Sequence, residues 1–144
     1  MQTHHRQPPD IARMLMSREP ISAAVDDNLM DAAARMADRN VRHLPVIDGD
    51  RRVVGILSDR DVRTLVGDLS RPLRPDDAKV RMRSLRVGDA MTRDVVVVAE
   101  DAPFDEVARI FTEQKVGAVP VVDGGDRLVG VISYVDVFKN AGAL

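Results

Sequence analysis

The sequence predicts an α+β fold in which two β-α-β-β-α repeats pack sheet to sheet with pseudo-twofold symmetry. Three observations carry this. A displacement of 75 residues lays the chain on itself without gaps, both copies run through the same order of hydrophobic periodicities, and both contain an Asp-Gly turn between β-branched runs. The displacement matches MSRE at Met16 with MTRD at Met91, LPVIDGD at Leu44 with VPVVDGG at Val119, and RVVGILS at Arg52 with RLVGVIS at Arg127. About a third of the positions from Met16 to Leu65 are identical at that offset. Chance gives roughly one in fifteen to twenty, so the chain is a duplication.

Each copy opens with a short helical lead-in, Ile11 to Met16 and Val87 to Met91, followed by an apolar run, Ile21 to Val25 and Val95 to Ala99. Next come Leu29, Ala32, Ala33 and Met36 in copy one, and Phe104, Val107, Ala108 and Phe111 in copy two. Both sets fall on one face of a helix. Asp26 to Asn28 and Asp101 are cap candidates, with Pro103 in a tolerated first-turn position. HLPVIDGDRRVVGIL and AVPVVDGGDRLVGVI then read as hairpins. A last helix starts at Ser58 and again at Ser133. One such sheet with two helices is too small to bury both faces, which is why the copies are expected to share a core. The domain reading is a flexible leader (1–10), repeat one (11–66), a linker (67–86) and repeat two (87–144).

Composition narrows the classes. Charged residues make up 31% of the 144, the net charge is -2, and aromatics are only 3%. A nucleic-acid partner is disfavoured by that charge and by the shortage of stacking aromatics, although Arg71 to Arg86 is arginine-rich. No run approaches the roughly 20 apolar residues of a membrane span. With no cysteine there is neither a disulfide framework nor thiolate chemistry, and no address is written at the start, so the expected location is cytoplasmic. There is no glycine-rich phosphate loop and no Gly-x-Ser-x-Gly elbow, and adjacent His4 and His5 lack metal-site spacing. No catalytic or metal-ligating set is expected.

Taken in order, MSREPISAAVDDNLMDAAARM, VRHLPVIDGDRRVVGILSDRDV, MTRDVVVVAEDAPFDEVARIF and VGAVPVVDGGDRLVGVISYVDV resemble a tandem pair of CBS (cystathionine beta-synthase) domains, a Bateman module, from Met14 to about Asn140. The arrangement is similar to stand-alone two-CBS proteins. The resemblance implies two clefts that bind adenosyl compounds, AMP, ADP or ATP, with S-adenosylmethionine or NAD as further possibilities. It also implies a regulatory, non-enzymatic sensor acting on a partner protein, with no cofactor required. The rival class is a non-catalytic interaction or dimerisation module with vestigial clefts.

Ser58-x-x-Asp61 in GILSDRD, and Ser133-x-x-Asp136 in GVISYVD, match the capping box that satisfies orphan backbone donors. A helix mouth also suits an anion, and an aspartate there suits a ribose diol. The resemblance assigns the ribose to Asp61 and Asp136 and the phosphate neighbourhood to Ser58 and Ser133. It lays the adenine along Ile21 and Ser22 or Val96 and Val97, and beside His43 to Pro45 or Ala118 to Pro120. Plain core packing accounts equally for Ile21, Val96, Pro45 and Pro120. Arg42 and His43 stand where related proteins place phosphate-contacting cations, and Arg60 and Arg63 lie in the last helix, whereas copy two has Gly117, Ala118, Tyr134 and Val135 at the matching places. The Asp61 cleft is therefore expected to take the phosphorylated ligand. Met30, Met36, Phe111 and Phe138 lack obvious partners, so a homodimer is expected.

Overall fold

The computed structural model describes residues 11–18, 20–66 and 75–141. The leader with His4 and His5, and the first part of the linker with Arg71, lie outside them. The described chain runs α1 (Ala12–Leu15), β1 (Ser17–Arg18), β2 (Ala23–Ala24), α2 (Leu29–Arg39), β3 (His43–Ile47), β4 (Val53–Ser58), α3 (Asp59–Val66) and α4 (Pro75–Ser84). It continues with α5 (Val87–Ala90), β5 (Val98–Ala99), α6 (Phe104–Glu113), β6 (Ala118–Val122), β7 (Leu128–Ser133) and α7 (Tyr134–Ala141). Each copy thus carries the β-α-β-β-α order read from its periodicity.

The chain forms two compact units, and they do not follow the sequence repeats. One unit is Ile21–Val95 with Asp126–Leu128, and the other is Met1–Pro20, Val96–Gly125 and Val129–Leu144. Each lead-in packs with the copy that it does not precede. In the unit of copy one, Val87 N–H donates to the Asp27 carbonyl and Gly88 N–H to that of Val25, both at 2.9 Å. Val87 and Met91 join the core there with Leu29, Ala32, Met36, Leu44, Val46 and Leu57. The same bonds recur in the other unit, where Ala12 and Arg13 N–H donate to the Ala102 and Glu100 carbonyls at 2.8 Å. Ala12 and Leu15 pack there with Val107, Val119, Val121 and Ile132.

The first unit holds the sheet β2-β3-β4, and the second the sheet β1-β7-β6-β5. β2 is parallel to β3, with Ala23 beside Val46, and β5 is parallel to β6, with Val98 beside Val121. The extra strand β1 pairs Ser17 with Val131, and its counterpart Thr92 bridges Ile56. This edge explains the repeated glycine. A Cβ on Gly55 would lie 2.9 Å from both Met91 Sδ and the Thr92 carbonyl oxygen, and one on Gly130 would collide with Met16.

Some local expectations are revised. Asn28 caps α2 by accepting the Met30 N–H at 2.9 Å, whereas Asp27 is turned to the Ala24 N–H and Arg35. Asp101 does not cap α6, because Pro103 is the N-cap residue and no side chain caps that helix. The hairpin loops put Arg51 (φ 65) and Asp126 (φ 62) in the left-handed region, and among the described residues no glycine has positive φ. Asp48 Oδ1 braces the first loop by accepting the Asp50 and Arg52 N–H groups at 2.9 Å. Part of the linker is helical: α4 ends beside Leu85, and Met82 and Leu85 pack on the first core. Met36 and Phe111, expected to lack partners, are buried inside their own units at 4% and 7% exposure.

Candidate functional site

In the first unit the antiparallel ladder sets His43 opposite Ser58, where β4 runs directly into α3. The Asp59 N–H donates to the Arg42 carbonyl at 2.9 Å, tying the start of β3 to the helix mouth. Ser58 and Asp61 then close a reciprocal cap. Asp61 N–H donates to Ser58 Oγ at 2.9 Å, and Ser58 N–H donates to Asp61 Oδ2 at 3.2 Å. Asp61 Oδ1 has no protein donor among the described residues.

His43 sits half-buried in this group. Burial lowers its pKa from 6.5 because imidazolium loses water, Arg42 adds to the lowering, and Asp61 and Asp59 oppose it. Arg42 and Arg60 are exposed. The fold therefore gathers Arg42, His43, Ser58 and Asp61 at one helix mouth, with Arg60 on the first turn of that helix. Ile21 packs against the core, and the Ser22 carbonyl accepts from Arg35 Nη1 at 2.9 Å. Pro45 lies opposite Ile56 and is fully buried.

The second unit repeats the backbone without the charges. Ser133 N–H and Oγ–H donate to Asp136 Oδ2 at 2.8 and 3.0 Å, and Asp136 N–H donates to Ser133 Oγ at 3.3 Å. Tyr134 N–H donates to the Gly117 carbonyl at 3.2 Å, the counterpart of the Asp59–Arg42 bond. Ala118 is buried where His43 stands in copy one, and Pro120 is fully buried like Pro45. Val96 is half-buried and Val97 exposed, just ahead of β5.

Sequence reasoning passed over Asp59, which acts on His43 and pairs with Arg63 Nη2 at 3.3 Å through its Oδ2. The four-residue Asp-to-Arg spacing carried that signal. A separate cleft of about 550 Å³ opens beside β2 and the hairpin turn, lined by Ala24, Asp26, Ile47 and Asp48 among others. Of the expected site residues only Ser22 lines it. Its Arg35 is held by Asp27 Oδ2 at 3.1 Å, and its other charges are acidic, so it suits a phosphate poorly. Among the described residues there is no group of His, Cys, Asp or Glu able to hold a metal ion, and no helix long and apolar enough to cross a membrane.

Comparison with known proteins follows the repeats. The family model described as CBS domain matches residues 11–68 and 87–142. Inosine-5'-monophosphate dehydrogenase of Methanocaldococcus jannaschii is 28% identical over 138 residues, which are 96% of this chain and 25% of that protein. The chain thus spans about a quarter of the length of that relative. A crystal structure of the CBS domain pair of protein MJ0100, in complex with 5'-methylthioadenosine and S-adenosyl-L-methionine, has a TM-score of 0.73 and 29% identity, covering 93% of this chain and 98% of that one. The fold is also that of CBSX2, solved in complex with AMP, at TM-score 0.80 and 23% identity over 94% of this chain and 99% of that one.

Proposed function

Because the chain belongs to the CBS domain family, we propose that it is a regulatory module that senses an adenosyl ligand and passes the signal to a partner protein. The ligand class is AMP, ADP or ATP, with S-adenosylmethionine and NAD as relatives of the same chemistry. The domain pair of MJ0100 supports the class, being 29% identical and solved with two adenosyl compounds. One observation carries the reading. At the start of α3 an aspartate whose Oδ1 has no donor among the described residues, a capping serine, a half-buried histidine and an exposed arginine converge within one unit.

In this reading Asp61 accepts the ribose hydroxyls, and Ser58 and the first turn of α3 face the phosphate. Arg42, His43 and Arg60 supply the positive charge, with Arg42 able to grip two phosphate oxygens at once. Ile21, Ser22 and Pro45 flank the base. Asp136, Ser133, Val96, Val97, Ala118 and Pro120 form the sister site, which lacks cations and takes a neutral adenosyl group or none. The protein catalyses no reaction of its own, needs no cofactor, and acts in the cytoplasm as a homodimer of CBS pairs.

The capping bonds alone account for Ser58 and Asp61, and exposed aromatics on α7 favour a second reading, a pure interaction module with vestigial sites. A thermal-shift panel with AMP, ADP, ATP, S-adenosylmethionine and NAD separates the two. Ligand at about 100 times its dissociation constant adds about 2.7 kcal/mol, a rise of roughly 5–10 °C. A panel with no shift at millimolar ligand rejects the sensor reading.

A further inference from the structure

The mouth of α3 carries two carboxylates, and the cap accounts for one of them. Asp61 closes the cap with Ser58, whereas Asp59, the first residue of the helix, points its charge elsewhere. Asp59 Oδ2 pairs with Arg63 Nη2 at 3.3 Å. Arg63 lies one turn further along α3, so the pair sets its negative end at the mouth and its positive end away from it. The two side chains are 72% (Arg63) and 46% (Asp59) exposed, so the pair is weak and the Asp59 charge is felt around it. That charge reaches His43, whose hold on a proton it strengthens.

The charges at the mouth favour a short phosphate chain over a long one. At neutral pH the lowered pKa leaves His43 uncharged, so the cations beside the mouth are Arg42 and Arg60. Two guanidinium groups balance one phosphate group, which carries about two negative charges at pH 7. Each further phosphate adds about one more. For those added charges the first turn offers Asp59, which repels them, and Arg63, which Asp59 already holds. By Coulomb's law across about 8 Å of water, two added ligand charges weaken binding about threefold to tenfold at low salt. The fold itself does not call for an acid at this position. Copy two starts its last helix with the same Ser-x-x-Asp cap and has Tyr134 in place of Asp59.

We propose that Asp59 is a specificity-determining residue, which makes the site of repeat one select a nucleoside monophosphate over the di- and triphosphate. The proposal rests on the adenosyl-sensor reading above and narrows its ligand class to AMP.

The test is calorimetric titration of AMP and of ATP, free of magnesium and at low salt, into wild type and three variants. Wild type is expected to bind AMP more tightly than ATP. Asp59→Asn should shrink that preference about threefold to tenfold, chiefly by tightening ATP, and the effect should fade in about 0.5 M salt. Asp59→Glu keeps the charge and should keep the preference. Asp31→Asn removes the same charge from an exposed first-turn position of α2 and should keep it too. If Asp59 served the helix alone, Asp59→Asn would lower the melting temperature and leave the ratio of the two affinities unmoved. That result overturns the proposal, as does a wild type that prefers ATP. A preference that shrinks equally in Asp31→Asn assigns the effect to net charge and overturns it as well. In these three cases a nucleotide still binds, so the sensor reading stands. A wild type that binds neither nucleotide sinks the sensor reading, and the proposal with it.

Discussion

The two helix mouths share one backbone and differ in nearly every side chain around it. Both carry the Ser-x-x-Asp cap and the bond from the first helical N–H back to the residue ahead of the strand. Around Asp61 stand Arg42, His43, Asp59 and Arg60, and around Asp136 stand Gly117, Ala118, Tyr134 and Val135. The cap is what the fold requires, so duplication retained it twice. The flanking positions do not hold the helix start together, and there the copies have diverged, one toward charge and one toward an apolar surface.

The largest test of this contrast concerns phosphate. Arg42→Ala is expected to weaken binding of AMP by about tenfold to a hundredfold, the worth of one charge-assisted contact, measured by calorimetric titration. Gly117→Ala, the matching site in copy two, should leave that affinity where it was. Equal losses in the two variants would erase the distinction between the mouths.

Next in size is the shared glycine. Gly55→Ala drives a methyl group against the Thr92 carbonyl, which is fixed by paired bonds to Ile56 at 2.9 and 3.0 Å. Overpacking of this kind costs about 1–3 kcal/mol, read as a lower melting temperature. The crowding atoms at Gly130 include Met16 Cβ at 2.9 Å, which no rotamer change moves, so Gly130→Ala should cost about as much. A negligible loss at either glycine would contradict this crowding.

His43 distinguishes the copies by pH, since Ala118 occupies its place in copy two. Its folded-state pKa lies below 6.5, so the unfolded chain binds the proton more readily. Stability attributable to His43 is therefore complete above about 6.5 and falls as the pH drops from there toward the folded value. Denaturant titrations of wild type and His43→Gln at pH 7.5 and 5.5 should show a gap that narrows at the lower pH. A bound phosphate would favour the imidazolium, so AMP affinity should rise across the same interval.

The smallest effect lies at the helix ends. Asn40 (φ 53) follows α2 and Lys115 (φ 51) follows α6, both left-handed. Asparagine tolerates that conformation and lysine does not, so Lys115→Gly should stabilise by about 0.4–1 kcal/mol and Asn40→Gly by less.

Much of this was legible before any coordinates. The offset of 75 exposed the duplication, and the Asp-Gly turns located both hairpins. Three features were hidden. A four-residue lead-in such as α1 carries no signal of which copy buries Ala12 and Leu15, because that depends on chain reversal far from it. The helix α4 has charges spread around it, so its polar sequence reads as linker although Met82 packs on the core. The left-handed residues Arg51 and Asp126 follow the glycines because Asp48 in the first loop and Asp123 in the second brace loops longer than a two-residue turn. At the candidate site the letters of Ser58 and Asp61 gave the cap, but the burial of His43 and the influence of Asp59 required the fold.

The most direct measurement is titration of AMP into wild type, Asp61→Asn and Asp136→Asn. Each asparagine keeps an oxygen able to accept the capping N–H, so both helices persist while the charge that would hold the ribose is removed. Binding is expected to be lost in Asp61→Asn and kept in Asp136→Asn. Affinity unchanged in Asp61→Asn would contradict the account.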